Sequence, residues 1–491
     1  MIYRVRLLLI SVLVIVVCGC SKPAVDESGV PAQSAAVPAA ASPNVLLIVV
    51  DTLRADRIDA ARNGVPVMPK ISAWAKESWN YQYCVTPSTW TKPSMVSMFT
   101  SLYPEVHRVL FGVHDTIVAD QPAESDAIPD SLMTLATYLK SSGYQTAAIQ
   151  TNPNLGENFG FHQGFDTYFF SPYPAFTGDK VTKKALVTLD ELKPPFFFYV
   201  HYMDPHAPYN PPEPHRTAFG PEPALPESDQ NLLGQNYPNF YNDLVSFQVG
   251  LAAHRNFPDL SAEGKVFIQT MYDGGVHFAD DETSALIAAV RAKYPDTIIV
   301  FTADHGEELW EHGSVGHGKT VFEDVAHVPL IVNVPGEAPR SIDAPVELVD
   351  IVPTLASLLE LAPHNLWQGK NIAVAADALP MDRPAFSMTK TSLATSKVDL
   401  QSVSQNGLKL VRDNKNAANL IFDLKADPTE QAPLQSAHEQ AVQLMLLLEQ
   451  HDDTNRKHPG LVTAPQRVEI SPETEKDMST IGYMQNKEQE P

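Results

Sequence analysis

Two aspartates in this chain sit where carboxylates can do metal chemistry. Asp51 closes the apolar run from Asn44 to Val50, and Asp304 closes a second run from Thr297 to Ala303, with His305 beside it. A divalent cation needs oxygen donors arriving from separate segments, and an adjacent imidazole suits Zn or Mn better than Ca. The rival reading of each aspartate is a helix N-cap at a strand-to-helix turn. Thr91, in Thr91-Lys92-Pro93-Ser94, precedes an apolar stretch with Pro93 in its first turn. It reads either as that helix's N-cap or as a hydroxyl nucleophile, with backbone N–H groups at the helix start favouring an anionic substrate. His206, in Asp204-Pro205-His206-Ala207-Pro208, and His317, between Gly316 and Gly318, lie in loop-like contexts. Each is a proton carrier for catalysis or a solvated surface group. His201, Asn152, His107 and His312 are weaker candidates, with packing or loop hydrogen bonds as the alternative.

Positioning those groups requires a particular scaffold. The runs 44–50, 195–201 and 297–302 are nearly continuous apolar stretches, as strands buried on both faces are. Helical patterns fall at 69–78, 94–101, 130–142 and 278–293. The alternation predicts an α/β fold, a doubly wound and mostly parallel sheet flanked by helices. In such sheets ligands bind beyond the carboxyl ends of the strands, where Asp51, His201 and Asp304-His305 would lie. We expect a catalytic domain over 43–365 with an insertion at 210–262 that reads as a substrate lid. A small C-terminal α+β subdomain over 366–464, with a closing helix at 437–450, and a disordered tail over 465–491 complete the organisation.

The chain has 491 residues, 44% of them hydrophobic and 19% charged, as a globular protein does. Its formal net charge of −23 disfavours nucleic acid as a partner. Residues 1–20 carry a short basic start, an apolar stretch too short to span a bilayer, and Val17-Cys18-Gly19-Cys20. This resembles a bacterial lipobox. It predicts lipidation of Cys20, an Ala/Pro/Ser-rich tether over 21–42, and an envelope location, membrane-anchored and facing the periplasm or the exterior. Only Cys84 would then remain in the folded domain, so no internal disulfide is expected.

Several blocks, in order, resemble the alkaline-phosphatase/sulfatase superfamily: "PNVLLIVVDTLRADR" (43–57), "TWTKPSMVSMFTSLYPEVH" (89–107), "PFFFYVHYMDPHAPYNPP" (195–212) and "IIVFTADHGEELWEHGSVGHGKTVFEDVAHVPLIV" (298–332). The resemblance covers most of 43–430. It implies one divalent metal, Mn or Zn favoured and Ca possible, held by Asp51, Thr91, Asp304 and His305. It makes Thr91 the nucleophile, His206 and His317 the proton carriers, and Asn152 and His201 substrate-binding groups.

The chain departs from formylglycine sulfatases at three places. Thr91 and Met95 stand where those enzymes carry Cys or Ser and Arg, and oxidation of a threonine would give a ketone. Gln150-Thr-Asn-Pro-Asn-Leu-Gly156 lacks the usual Lys and His, and Asp51-Thr52 replaces a paired Asp. The pattern resembles the Thr-nucleophile members, which act on phosphate esters and phosphodiesters. The favoured expectation is therefore phosphoester cleavage or transfer, with sulfate-ester hydrolysis second and a non-catalytic binding protein of the same fold third.

Overall fold

The computed structural model describes residues 42–112, 124–222, 224–232, 260–390, 398–434 and 439–480. The lipobox and all but the last residue of the tether lie outside these residues, as does much of the 210–262 insertion.

A nine-stranded sheet forms the body. In chain order its strands are β1 (Asn44–Val50), β2 (Trp79–Val85), β3 (Gln145–Gln150), β4 (Thr167–Phe170), β5 (Phe196–Tyr202), β6 (Thr297–Thr302), β7 (His327–Asn333), β8 (Arg340–Ile342) and β9 (Val346–Glu347). Across the sheet they run β8-β2-β7-β6-β1-β5-β3-β4, with β9 also on β2. Only β7 runs against its neighbours, β2 and β6. Every residue of β1, β5 and β6 is buried, because helices cover both faces, and this is why these strands read as unbroken apolar runs.

The helices over the sheet include α1 (Pro69–Ala75), α2 (Thr91–Thr100), α3 (Leu135–Ser141), α4 (Gly178–Glu191), α5 (Ala262–Lys293) and α6 (Ile351–Leu358). Helix α5 begins sixteen residues before the expected 278, because its N-terminal half carries small and polar residues such as Gly274 and Gly275 that hide the periodicity. There Pro205 packs against Gly275 so closely that a β-carbon would sit 3.0 Å from it. Within the expected insertion, the described part holds a short 3-10 turn at His215–Thr217 and a helix at Glu227–Leu232.

A separate four-stranded antiparallel sheet forms the C-terminal subdomain: β10 (Ala385–Lys390), β11 (Asp399–Gln405), β12 (Leu408–Asp413) and β13 (Ala418–Asp423). Helix α7 (Glu439–Arg456) closes its core through Ala441, Leu444 and Leu448 against Val403, Leu410 and Ile421. The expected tail from 465 is corrected in its first half. Gln466–Glu469 pairs antiparallel with Glu124–Ala127, and Pro472–Thr480 is a helix whose Met478 is buried in the main core.

Candidate active site

Neighbouring strands bring the polar residues together. β1 lies between β5 and β6 and runs parallel to both, so Asp51, His201 and Asp304 emerge side by side at the carboxyl ends of three central strands. Thr52, two residues past the end of β1, has φ +59°, costly by about 1–3 kcal/mol for a β-branched side chain. That conformation turns its N–H to Asp304 Oδ1 at 3.3 Å, while Tyr272 holds its carbonyl at 2.8 Å. Gly306 is required for a different reason. A β-carbon there would lie 2.0 Å from the Asp324 carbonyl oxygen, where the Asp304–Glu307 turn is pinned by Gly306 N–H to Val325 and Glu307 N–H to Asp324.

Thr91 is not the N-cap of α2. Trp90 takes that position in extended conformation, and Thr91 is the first helical residue. Its Oγ1 lies 3.3 Å from His305 Nε2. The same Nε2 is 3.4 Å from Asp304 Oδ2 and 3.9 Å from Asp51 Oδ1. All four side chains are fully buried.

Hydrogen bonds dictate which atoms face this point. His305 Nδ1 is 2.9 Å from the Gly306 carbonyl, which can only accept, so Nδ1 carries the proton and Nε2 presents a lone pair. Asp51 Oδ2 accepts from Asn152 Nδ2 at 2.8 Å and from His201 Nε2 at 3.0 Å, while Oδ1 has no partner. Asp304 Oδ1 accepts from the N–H groups of His305 and Thr52, while Oδ2 has none. Two buried, unpaired carboxylate oxygens and an imidazole lone pair thus face one another with no positive charge between them. This arrangement fits a divalent cation with Thr91 Oγ1 as a further donor. Electrostatics agree. Burial, reinforced by Asp51, pushes Asp304 up to about 7. Burial would also raise Asp51, but the His201 hydrogen bond and the nearby His206 hold it below the ordinary carboxylate range.

Asp51, His201 and Asp304 also converge closely enough to ligate an ion. His305 fits the ligand role better than His201. Tyr199 OH occupies His201 Nδ1 at 2.7 Å, and Nε2 faces a carboxylate oxygen, which requires a proton on that nitrogen. His201, the expected substrate-binding group, has both ring nitrogens taken by Tyr199 and Asp51 and braces Asp51. Asn152 does reach Thr91. Its Nδ2 is 3.4 Å from Thr91 Oγ1, and Asn154 N–H to its Oδ1 at 2.9 Å fixes the amide's orientation.

His206 and His317 come together as expected from their blocks. Their ring centres are 5.1 Å apart, and His317 is 4.3 Å from the His305 ring. His206 Nδ1 bonds the Ala207 carbonyl. Burial lowers both rings, His317 to about 4, which favours their neutral form. His317 Nδ1 is 3.0 Å from Oε1 of Glu307, a carboxylate the sequence reading passed over. Burial pushes Glu307 up to about 7 against the pull of His206 and His305. Lys319, also passed over, adds positive charge close enough to depress His317. The adjacency of both residues to motif histidines was the available signal. His107 and His312 lie elsewhere: His107 bonds Ser97 in the core, and His312 stacks on Phe322. Asp350 stands at the N-cap position of α6, and its side chain takes the Glu347 N–H in a capping box of the turn just before that helix. Cys84 is buried in β2 as a free thiol.

The Sulfatase family model matches residues 43–361, which include every residue of this centre. The chain belongs to the sulfatase family. An uncharacterized sulfatase of Escherichia coli is 21% identical over 79% of this chain and 82% of its own length. The choline-sulfatase of Rhizobium meliloti is 24% identical over 79% and 81%. Among solved structures, a protein in complex with its substrate D-glucosamine-2-N,6-O-disulfate superposes with a TM-score of 0.67 at 19% identity, covering 86% of this chain and all of that one. The phosphonate monoester hydrolase of Agrobacterium radiobacter gives 0.64 at 20%, covering 88% and all of that chain. This sulfatase-family chain is accordingly a hydrolase of the alkaline-phosphatase superfamily, and its family uses a metal ion.

Proposed function

We propose a metal-dependent ester hydrolase or transferase that works through Thr91 on a phosphate ester or phosphodiester. The observation that carries this reading is the convergence of Thr91 Oγ1 on His305 Nε2, beside the unpaired oxygens of Asp51 and Asp304. Asp51, Asp304, His305 and Thr91 would hold one divalent ion, Mn or Zn for the imidazole, which supplies a lowered hydroxyl pKa and charge neutralisation. The first N–H groups of α2 favour the anionic ester. The neutral His206/His317 pair takes the Thr91 proton as Oγ1 attacks phosphorus, and passes one to the departing alcohol oxygen as its bond to phosphorus breaks. Asn152 donates toward Oγ1 and steadies it. Water or an acceptor alcohol then attacks phosphorus and gives its proton to the same histidine pair, which passes one to Thr91 Oγ1 as the Thr91–phosphorus bond breaks.

Sulfate-ester hydrolysis is the second reading, favoured by the sulfatase family match and the choline-sulfatase relative. Against it stands the methyl on the Thr91 β-carbon, which bars formylglycine formation. The discriminating experiment assays p-nitrophenyl phosphate, bis-p-nitrophenyl phosphate, a phenylphosphonate monoester and p-nitrophenyl sulfate with Mn²⁺, Zn²⁺ and Ca²⁺, wild type against Thr91→Ala. We expect phosphorus esters to turn over and Thr91→Ala to lose at least ~10³-fold. Sulfate turnover alone would reverse the assignment. We also propose a lipid anchor at Cys20 in the bacterial envelope, on the strength of the lipobox. A Cys20→Ser protein that stays with membranes would refute it.

A further inference from the structure

We infer that the C-terminal sheet is a working part of the catalytic centre, with Thr389 of its edge strand β10 acting as a positioning residue for His317 and Thr91. The inference rests on the roles proposed above for those two residues.

Three chain segments interlock at one place. The first, 87–89, leads into Trp90 and the nucleophile. The second, 317–320, carries His317. The third is the middle of β10, which is paired on its other side with β11. Met388 N–H donates to the Pro87 carbonyl at 3.0 Å, and Thr89 N–H donates to the Met388 carbonyl at 3.2 Å. These bonds make a parallel bridge between Ser88 and Met388, so β10 continues its sheet onto the nucleophile loop. Thr389, fully buried, donates its hydroxyl to the Gly318 carbonyl at 2.9 Å. Gly318 N–H in turn donates to the Thr89 carbonyl at 2.8 Å, and Thr89 Oγ1 donates to the Thr320 carbonyl at 2.7 Å. Gly318 also packs on the Trp90 side chain, where a β-carbon would sit 3.3 Å from the Trp90 β-carbon.

The ring of bonds has a mechanical consequence. The residue before Gly318 is His317, and two residues after Thr89 comes Thr91. Neither loop belongs to a strand at these positions, so their mutual spacing is set by the two bonds between them and by β10, which binds both. Thr389 is the one side chain of β10 among these contacts, because the others are main-chain bonds. Its hydroxyl has a buried carbonyl as partner, which loses its donor if the hydroxyl is removed. A shift of about 1 Å between nucleophile and proton carrier is enough to cost up to ~10²-fold in rate without changing substrate affinity.

The test compares Thr389→Val, which keeps the shape and loses the donor, with Thr389→Ser, which keeps the donor. Both use the full chain with Mn²⁺ and the p-nitrophenyl ester that wild type turns over fastest. We expect Thr389→Val to lower kcat about tenfold or more, with KM and metal content near wild type, and Thr389→Ser to restore most of kcat. In parallel, amide hydrogen exchange over 86–92 and 315–320 should quicken in Thr389→Val and return to wild type in Thr389→Ser, a readout that needs no substrate. Thr389→Ala replaces the valine variant if that one does not fold. Wild-type kcat in the donor-less variant, or a serine variant as impaired as it, overturns the inference. If His317→Ala itself turns over normally, the functional reading fails instead.

Discussion

Two pairs of buried carboxylates in this molecule are treated in opposite ways. Glu347 and Asp350, at the start of α6, receive Arg383 between them. Its guanidinium binds Asp350 at 2.6 and 2.8 Å and Glu347 at 3.2 Å. The remaining capacity is taken by Phe386 N–H and Tyr103 OH on Glu347, and by Glu347 N–H and Lys370 N–H on Asp350. All four oxygens are bonded. Asp51 and Asp304 are equally buried, yet each keeps one oxygen without a partner, and no lysine or arginine comes between them among the described contacts. The chain completes one pair by itself and leaves the other to be completed by a cation. The difference teaches where to look for function: charge that folding neutralises internally is architecture, and charge left open is a site.

The largest expected effect attacks the completed pair. Arg383→Met leaves two buried carboxylates facing each other and should destabilise the protein by about 3–5 kcal/mol, read from denaturant unfolding in either presence or absence of metal. The open pair should behave in reverse. Asp304→Asn removes one of two repelling charges, so the chelator-treated variant should unfold at a higher temperature than chelator-treated wild type, while losing the stabilisation that added Mn²⁺ or Zn²⁺ confers. If wild type gains no stability from either ion and Asp304→Asn is simply weaker, the contrast between the pairs is wrong.

The last effect, spread over a pH range, concerns a single buried carboxylate. Asp204 accepts the Gly178 N–H at 2.9 Å and is pushed by burial up to about 7. Its unfolded counterpart ionises near ~3.9. Between those values the unfolded chain has released the proton and the folded one has not, so stability falls as pH rises from about 4 to about 7 and is level above. Asp204→Asn should flatten that part of the curve, measured as melting temperature against pH. An unchanged slope would show that Asp204 ionises normally.

The sequence-based expectations succeeded and failed for physical reasons. β1, β5 and β6 were legible because strands covered on both faces must be apolar throughout. Helix α5 was legible only in its C-terminal half, since its N-terminal glycines exist to let Pro205 and Pro211 approach. The strand at Gln466–Glu469 was not legible, because it is mostly exposed and earns its place only by pairing with a strand some 340 residues earlier. His201 was visible as a strand-end histidine, but its partner was not.

By itself, the sequence determined which residue types stand at the carboxyl ends of the buried strands, because apolar periodicity and a terminal aspartate are local properties. Only the tertiary structure decided what those residues do. Strand order puts β1 between β5 and β6, and that adjacency brings Asp51, Asp304 and His305 to one point and turns His201 onto Asp51. The closed fold also brings β10, about 300 residues downstream of Thr91, against the loop that precedes Thr91. Contacts of that kind depend on the whole chain closing around one core, and no local pattern of side chains encodes them.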